Sequence, residues 1–254
     1  MKKTLTVCAL GFFLLSLIIL PASNLNAQEK EVNKSDPKAL KILNKAIEAM
    51  GGRKLLETIE DTTVSGSMEL ITMGMEGSLT IYSKEPDKMR IDIEIMGMTI
   101  TQAYDGEMAW MFNPQTGANE EMPEQMVDDF KRDAMGNEMM LNPEKYNIVY
   151  TYKDIEKLED KDHHVLKQIH PDGWEATMYI DAETNLTYKV VAMTTNQMGV
   201  DVETESFTTD YQKVDGIMVA HTMTTYQDGE EFMTMTLTEI KFNSGLEDSM
   251  FKME

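Results

Sequence analysis

The chain has 254 residues, with 44 acidic against 23 basic side chains and a formal charge of −21. A polyanion of this sign repels phosphate and sets nucleic acid aside as a partner, and the single cysteine, Cys8, leaves no disulfide to organise the fold. The length suits one large β domain, since sandwiches and barrels of about 200–250 residues commonly form a single unit.

In chain order, Lys2 and Lys3 precede an apolar run from Leu5 to Leu20, a break at Pro21 and the residues Leu25, Asn26 and Ala27. This is the pattern of a secretory signal peptide cut between Ala27 and Gln28. A retained membrane anchor would need about 20 apolar residues. Lipidation of Cys8 is excluded by its place ahead of most of the apolar run. The expected organisation is a signal peptide over 1–27, a flexible leader over 28–35 and a β domain over 36–254, exported to the periplasm and free of cysteine.

Asp36 and Pro37 open a helical pattern with Leu40, Leu43, Ile47 and Met50 on one face, stopped by Gly51 and Gly52. A short turn over 53–59 leads into period-two patterns. Strands are predicted near 61–72, 76–84, 88–95, 98–105 and 108–113. A helix over 123–135, with Met126, Val127 and Phe130 at helical spacing, interrupts them as a cover. Strands resume near 147–158, 163–170, 174–181, 186–195, 200–212, 217–227 and 231–242. Four Asp-Gly pairs (Asp105-Gly106, Asp172-Gly173, Asp215-Gly216 and Asp228-Gly229) sit between alternating segments and mark hairpins. About a dozen antiparallel strands make a mainly β protein, as a closed barrel or a strongly curved sheet, because a flat sheet of that width is unusual.

The alternation assigns an inner face. Met89, Ile91, Ile93 and Ile95 share one side of their strand while Arg90, Asp92 and Glu94 share the other. Met68 with Leu70, Leu79 with Ile81, Ile100, and Trp110 with Phe112 extend the apolar surface, either as core beneath the helix or as the lining of a cavity. The 24 methionines favour the cavity, because methionine packs adaptably at promiscuous apolar surfaces. Met73-Gly74-Met75 and Met96-Gly97-Met98 fall at the same end of a meander, about 10 Å apart, as a soft rim. Met122, Met126, Phe130, Met135, Met139 and Met140 are expected to close over it. Such a mouth would admit acyl chains, each buried methylene contributing about 0.8 kcal/mol.

The stretch from Gly77 to Pro114, GSLTIYSKEPDKMRIDIEIMGMTITQAYDGEMAWMFNP, resembles the corresponding region of the LolA-like periplasmic lipoprotein carriers. The resemblance rests on Pro86, then Asp105, Gly106, Trp110, Phe112, Asn113 and Pro114, together with Ala49, Met50, Gly51, Gly52 and Leu55 at the end of the first helix. It is specific over about forty residues. It implies an incomplete antiparallel β-barrel around an apolar cavity with helices as a lid. The implied cargo is the acyl chains of lipoproteins or lipids, with inner- and outer-membrane sorting proteins as partners. The carriers hold an arginine just before that proline as a lid tether; here the position is Glu85.

Two other classes fit parts of the pattern. Copper handling is suggested by Met73 with Met75, Met96 with Met98 and Met233 with Met235, since thioethers suit Cu(I) and residues two apart on a strand share a face. Cavity filling is the preferred account of these dispersed methionines, so no metal site and no cofactor is expected. His163, His164, His170 and His221 read as scattered surface residues, with His164 and His170 on one strand face. No nucleophile elbow, zinc helix or phosphate loop is present, and Asp92 and Glu94 read as solvated. The chain is therefore expected to be a binding protein without catalytic residues, or a non-catalytic envelope sensor domain.

Overall fold

The computed structural model describes residues 34–196 and 199–253. The signal peptide over 1–27, and all but the last two residues of the 28–35 leader, lie outside the described residues. Helix α1 (Pro37–Met50) begins where Asp36 accepts a hydrogen bond from Lys38 N–H at 2.7 Å and Pro37 occupies the first turn, which needs no donor. It buries Ala39, Ile42, Leu43, Ala46 and Ile47, and ends at Gly51, whose φ of +137° a side chain would resist. A single turn, α2 (Arg53–Leu56), follows.

Thirteen strands then form one sheet. They are β1 (Asp61–Leu70), β2 (Met75–Lys84), β3 (Lys88–Ile95), β4 (Met98–Tyr104), β5 (Ala109–Asn113) and β6 (Ala118–Glu121). After α3 (Glu124–Ala134) and α4 (Glu138–Leu141) come β7 (Val149–Leu158), β8 (Lys161–Ile169), β9 (Glu175–Asp181), β10 (Thr187–Thr195), β11 (Asp201–Val214), β12 (Ile217–Gln227) and β13 (Glu230–Phe242). Every expected strand is present within a few residues. The short polar β6 and the one-turn α4 were not expected, because four residues carry too little periodicity to register. All four Asp-Gly pairs make hairpins, and at Asp215-Gly216 and Asp228-Gly229 both residues have positive φ, the backbone of a type I′ turn.

The order across the sheet is β6-β5-β4-β3-β2-β1-β13-β12-β11-β10-β9-β8-β7, antiparallel throughout, with the first strand beside the last. Among the described residues β6 and β7 are unpaired edges, so the barrel is incomplete. The sheet nevertheless curls strongly. Six strand spacings separate β3 from β10 in the order, about 29 Å if flat. Yet within one turn of α3, Phe130 packs with Met89 of β3 while Asp129 accepts a hydrogen bond from Thr195 N–H of β10 at 2.6 Å. The whole 11-residue helix is only about 16 Å long. Two glycines at the seam permit the bend: a Cβ on Gly66 would collide with the Thr236 carbonyl oxygen, and one on Gly77 would lie 2.5 Å from that of Glu94.

Two apolar clusters sit on the concave side. The larger joins α1 to Leu141, Ile148, Tyr150, Leu166, Ile180 and Ile217; the smaller joins Phe130 and Ala134 of α3 to Met89, Tyr104 and Ala109. The connection from β6 to β7 carries α3 and α4 across this side, as a cover should. On the convex side the C-terminal tail forms a staple. Asp61, buried at the start of β1, accepts from the backbone N–H groups of Ser244, Gly245 and Leu246 at 2.6, 2.8 and 3.2 Å. Further along, Lys84 and Lys88 pair with Asp248, and Phe251 is fully buried.

Candidate functional site: the concave face

Residues directly opposite one another in an antiparallel pair project to the same side, so the strand register assigns every side chain to a face. Met68, Leu70, Leu79, Ile81, Met89, Ile91, Ile93 and Ile100 all share the concave face, through the pairs Met68↔Gly77, Gly77↔Ile95, Leu79↔Ile93, Ile81↔Ile91, Met89↔Tyr104 and Ile93↔Ile100. Beyond the seam β13 and β12 add Met233, Met235 and Met223 to the same side. Met68 and Leu79 are buried, whereas Leu70, Ile91, Ile93, Ile100, Met223, Met233 and Met235 are half-buried. Most of this strip belongs to neither helix-covered cluster; only Met89, with Ile81 and Ile91 at its margin, lies under α3.

Trp110 and Phe112 do not belong to this surface. Trp110 pairs with Ala103, which pairs with Arg90, and all three face outward; Phe112 follows the same parity. The reason is the tail, which the alternation of a single strand could not reveal. Trp110 Nε1 donates to the Phe251 carbonyl at 2.7 Å, and Arg90 Nη1 to that of Met250 at 3.0 Å. Asp92 is likewise not simply solvated: it accepts from Arg90 Nε at 3.0 Å and from the Thr101 hydroxyl at 2.7 Å. Phe251, the one aromatic in the polar stretch 243–254, is the signal the sequence offers.

The expected rim divides in the same way. The β1–β2 and β3–β4 turns do lie at one end of the sheet, where Leu70 pairs with Met75 and Ile95 with Met98. There Met73, Met96 and Met98 are 58%, 78% and 51% exposed, with Ile71 also exposed and Met75 half-buried. Met126 and Phe130 are not beside them. Both pack with Met89, Tyr104 and Ala109, at the opposite end of β3 and β4, and Met122 joins them. Met135, Met139 and Met140 pack against the cluster under α1 instead. Helical residues project toward whatever the helix crosses, and α3 crosses to β10, where Arg132 pairs with Asp129 and Asp172 and stacks over Trp174.

The lid segment meets Glu85. Its carboxylate lies beneath the α3–α4 junction, where Asn137 N–H donates to it and where a Cβ on Gly136 would come within 3.3 Å of Oε1. Its Oε2 is buried without a partner, and desolvation pushes its pKa from 4.5 up to about 7. Glu85, just before Pro86, thus meets the α3–α4 connection with an acid.

The histidines are not scattered over the surface. His163 and His170 are buried, the first against Tyr188 with ring centroids 4.9 Å apart, the second edge-on to Trp174 at 5.0 Å. Burial holds His170 below its ordinary pKa. His164 faces the concave side by its pairing with Ile180, and His170, six residues on, keeps the same parity. No group of three or more His, Cys, Asp or Glu side chains able to hold a metal occurs among the described residues.

No family model matches the sequence, and no curated protein is similar enough to match it. Solved structures do. A domain from Vibrio parahaemolyticus described as an outer membrane lipoprotein-sorting protein superposes with a TM-score of 0.58 at 15% identity, covering 85% of this chain and 96% of its own. A DUF1329 family protein from Desulfovibrio piger gives a TM-score of 0.59 at 14% identity, over 86% of this chain and 98% of its own. A LolA superfamily protein from Nitrosomonas europaea gives 0.58 at 14% identity, over 84% and 97%. At these identities the agreement is one of architecture, and it extends over nearly the full length of each relative: the chain carries the LolA-like fold.

Proposed function

We propose that the protein is a periplasmic carrier that holds the acyl chains of lipoproteins or lipids against its concave face, in lipoprotein sorting or envelope lipid transport. The observation that carries this reading is the half-buried apolar strip of Leu70, Ile91, Ile93 and Ile100, continued by Met233 and Met235, between two helix-covered clusters. A contiguous apolar strip that the chain only half covers is the kind of surface another apolar body completes. At about 25 cal/mol per Å² of apolar surface, covering the strip rewards an apolar ligand. Methionine lining accommodates chains of different length and saturation. The lipoprotein-sorting description of a structural relative supports the same cargo class. Membrane proteins at either side of the periplasm would donate and accept it. The reading is of a binding protein rather than an enzyme, since the carboxylate at Asp92 serves the convex staple.

The test is native mass spectrometry with lipid extraction on protein purified from bacterial periplasm without detergent, followed by titration with a fluorescent fatty acid. Near-stoichiometric co-purified lipid or acylated protein is expected. Ile93→Glu, which places a charge on the strip, should weaken acyl binding by about tenfold or more, while Phe112→Ser on the convex face should not. Lipid-free protein that ignores the probe, or equal effects of the two substitutions, overturns the reading.

A further inference from the structure

We propose that the floor of the concave face holds a second kind of ligand, a soft monovalent cation of the Cu(I) type, bound by the thioethers of Met68, Met235 and Met223. The strand register places these groups together. Met235 of β13 stands directly opposite Met68 of β1 on one side and Met223 of β12 on the other, so three methionines lie abreast on three adjacent strands and project to one face. Directly opposed side chains have Cβ atoms about 5 Å apart. A flexible thioether on each flank, leaning toward the middle one, brings all three sulfurs within reach of a single ion.

His221 lies two residues before Met223 on β12 and therefore shares its face. Its Nδ1 is 3.0 Å from the Val219 carbonyl oxygen. The ring is thus turned along the strand away from Met223, and His221 borders the row without joining the donor set. Beyond Met68 the same row continues to Gly77, which contributes no side chain to crowd the flank. The nearby carboxylates Glu69, Glu76 and Glu94 have the opposite parity and face outward. The donor set is thus sulfur alone, which favours a soft cation over Ca²⁺ or Mg²⁺. Of the two-residue methionine pairs, Met73-Met75 and Met96-Met98 each contain a residue in an exposed turn. Met235 alone has a methionine opposite it on both sides.

Leucine tests the site because it keeps the face apolar at similar volume while removing the donor. The full chain is titrated anaerobically with Cu(I) in competition with bicinchoninate, and acyl-probe binding is measured on the same samples. One retained equivalent is expected. Met235→Leu and Met223→Leu should each lower Cu(I) affinity by about tenfold or more. Met193→Leu, exposed on the convex face, should change neither Cu(I) affinity nor acyl binding. As a measurement independent of any variant, Ag(I) added to protein labelled at its methionine methyl groups should shift the resonances of Met68, Met223 and Met235. Failure to retain Cu(I), affinity undiminished in Met235→Leu, or Ag(I) shifts spread over the exposed Met73 and Met96 would overturn the proposal, whatever the outcome for lipid.

Discussion

The two wings of the sheet bury apolar side chains in different ways. Under α1, Leu166 and Ile180 are completely buried and Ile47, Ile148 and Tyr150 nearly so, an interlocked set of branched and aromatic residues. Across the seam, β1 to β4 and β13 present leucine, isoleucine and methionine that are half-covered, and the turns beyond them expose Met73, Met96 and Met98. Both surfaces follow the same alternation, so hydrophobic patterning does not distinguish them. What differs is whether a helix lies on top. One wing is filled by the chain itself; the other is left half-covered.

The largest effects should fall on the filled wing. Leu166→Ala is expected to cost about 3–4 kcal/mol in urea unfolding, because a fully buried leucine leaves a cavity, whereas Ile93→Ala should cost less than half of that. Equal costs would erase the distinction between the wings. Next comes the convex staple: Asp61→Ala strands three backbone N–H donors, for a loss of about 2–3 kcal/mol in the same measurement, with acyl-probe binding retained by the folded fraction.

A smaller effect tests the junction between wing and lid. Glu85 has a folded-state pKa of about 7 against an ordinary 4.5, so the protein prefers it protonated. The stability contributed by the neutral acid is fully present below pH 4.5 and is lost as pH rises through 7. Glu85→Gln should therefore stabilise the protein at pH 8 and change it little at pH 4. The difference should be on the order of 1 kcal/mol, since Glu85 is not fully desolvated and water screens part of the shift. A pH-independent difference in thermal unfolding would show that the carboxylate is solvated. The smallest expected effect is at the exposed turns: Met73→Ser and Met96→Ser should each shift stability by no more than about 0.5 kcal/mol while reducing binding of an apolar dye.

Much of the architecture was legible locally. Alternation of branched and polar residues places the strands, Asp-Gly pairs place the hairpins, and the Asp36-Pro37 start and Gly51 stop bound the first helix, because each is set by the backbone preferences of a few neighbouring residues. Strand parity also carried most of the candidate face, from Met68 to Ile100. It failed at Trp110 and Phe112. An apolar side chain at alternate positions reports only that one face of its strand is covered, and here the cover is a tail more than a hundred residues away, with Phe251 in it.

The sequence by itself determined the secondary structure, the antiparallel class and the presence of a broad apolar face, since periodicity and turn chemistry act over a few residues. Only the tertiary structure decided which side of each strand is concave, where α3 lies, and that Met68, Met223 and Met235 stand abreast. Those facts depend on the register of β1 against the β12–β13 hairpin, some 150 residues further along the chain, and on the curl that brings β3 and β10 under one helix. Register is chosen by the packing of whole strands against one another, a quantity no local stretch of sequence contains.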